Sequence, residues 1–284
     1  VGFAKRKEAH TNGLYSWRDP AVTASALGVS GTRGEKLNAM LEINRGANGP
    51  LFKPARVTAG EEVWRKVPEV EFYVDFETVN DLNDDFSKLP MKGSTPLIFM
   101  IGCGHVENDT WVFKNFVVDH MDESSEADLI NEWVNHMNTV KDRLSGENLN
   151  PNVFHWSSAE LSFIETSYNS ARKRHPEQKW PDIYWYDLLA NVAREEPIVV
   201  RGALGFGLKT IVNAMSNEGL IDVHWPDSSL DGLGAMAGAW SCEREAEKDN
   251  LSLGEIPLMN GIVAYNEIDC KAMFSLVQYL RKHH

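Results

Sequence analysis

One seven-residue run, Glu71-Phe72-Tyr73-Val74-Asp75-Phe76-Glu77, constrains this chain more than any other segment. Its aromatic and β-branched residues read as a core strand. Side chains alternate across a strand, so Phe72, Val74 and Phe76 take one face while Asp75 and Glu77 share the other. Two like charges on one face repel unless something compensates them. A hard divalent cation such as Mg²⁺ does so directly, through oxygen ligands. Taken alone, the pair reads equally well as an exposed strand end carrying two solvated acids.

Composition narrows the setting. A chain of 284 residues suits one sizeable domain with an appendage, or two small ones, and can bury a substantial core. The net charge of −13 argues against a broad basic surface. It leaves room for an enzyme whose acids hold metal ions that then meet phosphate. Cys103, Cys242 and Cys270 form no CxxC pair, so neither a disulfide framework nor a zinc knuckle is indicated, and a reducing compartment is the simpler expectation. No apolar stretch approaches the roughly 20 residues that span a bilayer, and no signal-peptide pattern opens the chain. The expectation is a cytoplasmic protein. Val1 at one end and His283-His284 at the other suggest a fragment of a longer protein; part of a purification tag and a further domain upstream are the matching expectations.

Residues 1–68 are rich in Gly, Ala, Arg and Lys, with turn signals at Asp19-Pro20 and Gly49-Pro50 and a helical stretch over 35–44. They read as an N-terminal arm or small helical module, ahead of a domain over 69–284. Within the arm, Leu27-Gly28-Val29-Ser30-Gly31 followed by Lys36-Leu37 faintly suggests a helix-hairpin-helix; an ordinary helical linker is the simpler reading. From residue 69 three strands are expected, over 71–77, 97–103 and 110–116, with short connections and a turn around Gly104 and Asn108-Asp109. A long amphipathic helix over 125–144 carries Leu129, Trp133 and Met137 at helical spacing. A short strand over 152–156 follows, and Ser157 is a plausible N-cap with Glu160 at capping-box spacing. Strands then alternating with helices specify an α/β domain with a mixed sheet.

Further acids fall on faces that should be buried. In the helix expected over 264–282, Ala272, Met273, Leu276, Val277 and Leu280 form one stripe that extends back to Asp269 and Tyr265. Glu267, Lys271, Ser275, Gln278 and Arg281 take the solvated face. A buried carboxylate is costly alone, so Asp269 requires a metal, a strong donor or a buried Arg or Lys. Glu160 shares a face with Ile164, Tyr168 and Ala171, either as an inward acid or as a capping partner. Asp187, before Leu188-Leu189, reads as a helix cap. Lys209, behind Gly205-Phe206-Gly207-Leu208, could meet phosphate at a helix start. His155 and Trp156 stand where they could touch a substrate.

The order Asp75, Glu77, Glu160, Asp269, with Tyr265 four residues before the last, resembles the DEDD exonucleases of the ribonuclease H-like superfamily in their Tyr-x-x-x-Asp variety. A closer resemblance is to predicted RecB-family nucleases with a YprB-like ribonuclease H-like domain. It rests on Val74-Asp75-Phe76-Glu77-Thr78, Pro96-Leu97-Ile98-Phe99-Met100-Ile101-Gly102, Phe154-His155-Trp156, Leu208-Lys209 and Tyr265-Asn266-Glu267-Ile268-Asp269-Cys270. Trp17-Arg18-Asp19-Pro20 and Ile43-Asn44-Arg45 resemble the connector of those proteins. Two departures stand out: the second motif usually supplies Asp where Glu160 stands, and Ala264 occupies the place of a histidine base. The resemblance implies a ribonuclease H-like mixed sheet flanked by helices. It also implies two Mg²⁺ or Mn²⁺ ions held by Asp75, Glu77, Glu160 and Asp269, with Tyr265 orienting the attacking water. The activity implied is a 3′–5′ exonuclease on single-stranded DNA or RNA. Two alternatives are a structure-directed endonuclease on the same fold and a non-catalytic module that binds nucleic acid or assembles a larger nuclease.

Overall fold

The strand expected at 71–77 forms at Phe72–Val79, as the middle of a five-stranded sheet. The structure is a computed structural model and describes residues 2–46, 48–79, 96–145, 150–156, 163–226 and 232–284. Along the chain come α1 (Phe3–Thr11), α2 (Gly31–Arg45), β1 (Phe52–Lys53), α3 (Glu61–Trp64), β2 (Phe72–Val79), β3 (Leu97–Glu107) and β4 (Thr110–Val117). There follow α4 (Glu123–Leu144), β5 (Val153–His155), α5 (Phe163–Arg174), β6 (Trp185–Asp187), β7 (Val199–Val200), α6 (Leu208–Asn217), α7 (Gly232–Asp249) and α8 (Pro257–His283). The sheet order is β4-β3-β2-β5-β6, antiparallel across β4, β3 and β2 and parallel across β2, β5 and β6. A mixed α/β sheet flanked by helices is therefore what forms.

Alternation along β2 divides the interior in two. Phe72, Val74 and Phe76 enter a core with Ile130 and Trp133 of α4 and Tyr168 of α5. Tyr73 faces the other way, into a core with Phe154 and with Met273, Leu276 and Val277 of α8. Asp75 and Glu77 thus point to the α8 side of the sheet. Asp122 caps α4 by accepting from the Ser125 amide, and the stripe of Leu129, Trp133 and Met137 is buried as its spacing requires.

Two readings of β3 change. Gly104 is not in the turn: β3 continues to Glu107, and a two-residue hairpin at Asn108-Asp109 joins it to β4, both residues at positive φ as such turns demand. Gly104 instead lies under Trp111, whose indole would stand 2.1 Å from an added Cβ. The end of β3 moves with it, from the expected 103 to Glu107; the β2–β3 connection, over 80–96, lies almost wholly outside the described residues.

The arm is partly woven into the domain. β1 pairs antiparallel with β7, Val57 and Trp64 are buried in the α8-side core, and the Val57 amide donates to the carbonyl of His284. Arg281, expected on the solvated face of α8, turns its side chain inward. Its side chain is only 6 % exposed and donates to both carboxylate oxygens of Glu71 and to the carbonyls of Trp64 and Lys66. A helical wheel shows which side of α8 faces the sheet. It cannot show that residues 64–71 wrap the last turn.

Removing one partner from a buried ion pair strands the other charge, at a cost of about 3–5 kcal/mol. Arg281→Ala is expected to lower unfolding stability by about that amount in urea titration. A loss below about 1 kcal/mol would place the pair among weak surface bridges.

Candidate metal centre

β2 delivers Asp75 and Glu77 to one face, and α8 crosses that face with Asp269 on its buried side. One carboxylate oxygen from each lies within 4.8 Å of the others. A register shift in the β2–β3 ladder falls between Glu77 and Thr78, which pair with Met100 and Ile98. It leaves Phe99 unpaired opposite them, a bulge of the kind that re-aims side chains beside functional sites. Tyr265, one turn before Asp269, lies against it, and Lys209 from the first turn of α6 holds its ammonium 4.2 Å from the Tyr265 ring centre.

Burial and mutual repulsion govern the chemistry of these acids. The Asp75 carboxyl is held well above the usual carboxylate range, by burial first and then by Asp269 and Glu77. Glu77 is pushed up to about 8 by burial and by Asp269. Asp269 is raised less, to about 6, because the Lys209 charge and hydrogen bonds from Trp225 and Tyr265 offset its burial. Burial and the same carboxylates raise the Tyr265 phenol too, so it stays a hydroxyl at neutral pH. Three acids face one ammonium among the described residues lining the cavity. That imbalance, on three hard oxygen donors at mutual ligand distance, fits a divalent cation.

The acids share a cavity of about 630 Å³ with Trp156, Ile164, Lys209, Leu233, Met236, Tyr265 and Met273. Trp156 and Lys209 both line that cavity. His155 does not line this cavity; it is 1 % exposed at the end of β5, with its ring edge-on to Trp185. Asp187 caps the turn after β6, accepting from the amides of Leu189 and Ala190. Glu160 and the Ser157 cap lie outside the described residues.

Two side chains that hold the acids in place escaped the sequence reading. Trp225 donates its indole N–H to Asp269 Oδ1 at 2.9 Å, from a segment without regular periodicity. Asn266, wholly buried, donates to Asp75 Oδ2 at 3.2 Å and to the Asp75 carbonyl at 3.4 Å. Its space exists because Gly102, directly opposite Asp75 in the ladder, has no side chain. A Cβ there would come 1.7 Å from Asn266 Oδ1. The available signal was position: Asn266 lies three residues before Asp269, on the same inward side of α8.

With this geometry in view, one comparison is decisive. A family model described as the RNase_H superfamily matches residues 85–281, more than half of the chain. The chain belongs to the RNase_H superfamily. Comparison with curated proteins finds no match. The matched span of this RNase_H-superfamily chain covers Asp269 and Tyr265 but begins after β2, so Asp75 and Glu77 join the centre on geometry. Among the described residues no helix is long and apolar enough to cross a membrane.

Two expectations follow. The raised acids keep protons in the folded state that the unfolded chain, with carboxyls near 4, has lost, so metal-free stability falls as pH rises until about pH 8. Burial lowers His105 and His136 from 6.5 and gives the opposite slope, but only below that value. Between pH 6.5 and 8, therefore, the melting temperature in chelator should drop, and the drop should shrink in Glu77→Gln; a flat wild-type profile contradicts the centre. Second, Gly102→Ala should displace Asn266 and weaken Mn²⁺ binding about 10–100-fold, the usual cost of losing a group that orients a ligand. Asn266→Ala should match it by calorimetry.

Proposed function

We propose that this protein is a metal-dependent nuclease that hydrolyses phosphodiester bonds of single-stranded DNA or RNA, as a 3′–5′ exonuclease of the DEDD type with the tyrosine variant of the third motif. The observation that carries the reading is the convergence of Asp75, Glu77 and Asp269 with Tyr265 and Lys209 in one cavity. A YprB-like domain of a RecB-family nuclease, with a further domain upstream and a cytoplasmic location, belongs to the same proposal. So does the division into an arm over 1–68 and a nuclease domain over 69–284.

Asp75, Glu77 and Asp269 would hold two Mg²⁺ or Mn²⁺ ions, with Glu160 as the proposed fourth ligand. That donor set would place Lewis acidity at the scissile phosphate and at an attacking water, whose pKa it would lower. Burial raises the Tyr265 phenol, which suits it to orient that water through its hydroxyl. Lys209 sets an ammonium toward the phosphate, where negative charge builds as water oxygen bonds to phosphorus and the P–O3′ bond breaks. The attacking water releases its proton to solvent and the leaving O3′ takes one up from solvent, so the products are a 5′-phosphate on the released nucleotide and a 3′-hydroxyl on the shortened strand. Trp156, Leu233 and Met236 offer apolar surface to the terminal base. His155, buried edge-on to Trp185, fixes the end of β5 from which Trp156 follows.

A 5′-labelled oligonucleotide with Mg²⁺ or Mn²⁺ tests the reading. Wild type should give a ladder shortened from the 3′ end. Asp75→Ala and Asp269→Ala should lose all metal-dependent cleavage while keeping the wild-type circular dichroism, and Tyr265→Phe should lose roughly 10²-fold. Full activity in either alanine variant overturns the assignment. A single internal cut would mean an endonuclease, and binding without cleavage a non-catalytic module.

A further inference from the structure

Charge is distributed unevenly along this acidic chain. Residues 1–68 hold eleven Lys and Arg against six Asp and Glu, whereas residues 69–284 hold seventeen against thirty-five. A polyanion is repelled by the larger part and attracted by the smaller. Several arm cations are committed internally: Lys5 donates to the Gly28 carbonyl, Lys36 to that of Arg194 and Arg45 to those of Trp17 and Val22, while Lys53 pairs with Glu42. Among the described residues no carboxylate pairs with Arg6, Lys7, Arg18 or Arg33, and all four are exposed.

Arg6 and Lys7 lie on one face of α1 with Phe3, His10 and Thr11, at spacings of three and four, and this face forms a shallow groove closed by Tyr15. Phe3 is 92 % and Tyr15 73 % exposed, and the Tyr15 ring lies 5.4 Å from that of His10. Among the described residues no carboxylate lines the groove. Aromatic faces beside unpaired cations are what a single strand needs, because every base has a stacking face and every linkage a charge. An anionic lipid surface would need a broad apolar stripe, and this face of α1 has only Phe3.

The arm is fixed to the segment that feeds the metal centre. Met40 and Ile43 of α2 pack on Val199 and Phe206, and Asn44 bonds the amide of Gly202 and the carbonyl of Ala203. Gly207, Leu208 and Lys209, which line the cavity, follow directly.

We propose that the α1 groove is a second nucleic-acid contact, holding the phosphates of an unpaired strand on Arg6 and Lys7 and stacking its bases on Phe3 and Tyr15. That the strand is substrate rests on the nuclease reading. Its binding does not.

Anisotropy of a labelled 30-nucleotide oligothymidine, with the full chain in chelator across a salt series, tests the contact without turnover. Arg6→Ala with Lys7→Ala should weaken binding about tenfold and reduce the log Kd against log salt slope by about 1.4, two phosphates' worth. Phe3→Ala with Tyr15→Ala should weaken binding by a similar factor and leave the slope unchanged. Wild-type affinity in either double variant, or preference of the wild type for phosphatidylserine vesicles over the oligonucleotide, overturns the proposal. Wild-type cleavage in Mn²⁺ is read separately: arm-dependent binding without cleavage sinks the nuclease reading and leaves the groove standing.

Discussion

The structure depends on how closely α8 lies across β2 and β3. Gly102 and Gly104 remove two side chains from the face that α8 covers, and Asn266 and the Trp111 indole, stacked on Phe274, fill the space. That approach brings Asp269 to Asp75 and Glu77. At about 5 Å two ionised carboxylates repel by about 3 kcal/mol at an effective dielectric near 20. Burying Met273, Leu276, Val277 and Leu280 contributes about 1.5–3 kcal/mol each, and the Arg281–Glu71 pair fixes the far end of the helix. The apolar seam therefore outweighs the repulsion. The acids respond by holding protons, and the helix stays seated.

That balance separates what the residues declared from what they concealed. Alternation in 71–77 and the stripe on the last helix were legible because each follows from one local period: the first put Asp75 and Glu77 on one strand face, the second put Asp269 on the inward side of its helix. Asp187 was legible as a cap for a similar reason. Arg281 was misread because its partner Glu71 lies 210 positions away in sequence, and no period within α8 encodes residues 64–71. Gly104 resembled a turn residue because glycine has two uses, backbone freedom and close approach, and sequence does not say which applies. Asn266 and Trp225 act through contacts that only the assembled site defines.

The RNase_H-superfamily assignment and the centre support each other from different directions. The family match begins downstream of β2, so it is blind to two of the three acids; the geometry that joins Asp75 and Glu77 to Asp269 uses no family knowledge. A net charge of −13 looked unfavourable for a protein that meets nucleic acid. The acidity resides beyond residue 68, where three of the carboxylates are gathered for a cation, while the arm carries the opposite sign.

The central claim is that Asp75, Glu77 and Asp269 form a divalent-cation site. Anomalous diffraction from crystals of this chain soaked in millimolar Mn²⁺ tests it most directly. The account predicts manganese within bonding distance of all three carboxylates, with Asp75 touching every ion present. An empty carboxylate cluster at that concentration, or one closed by a lysine in place of the metal, would contradict it.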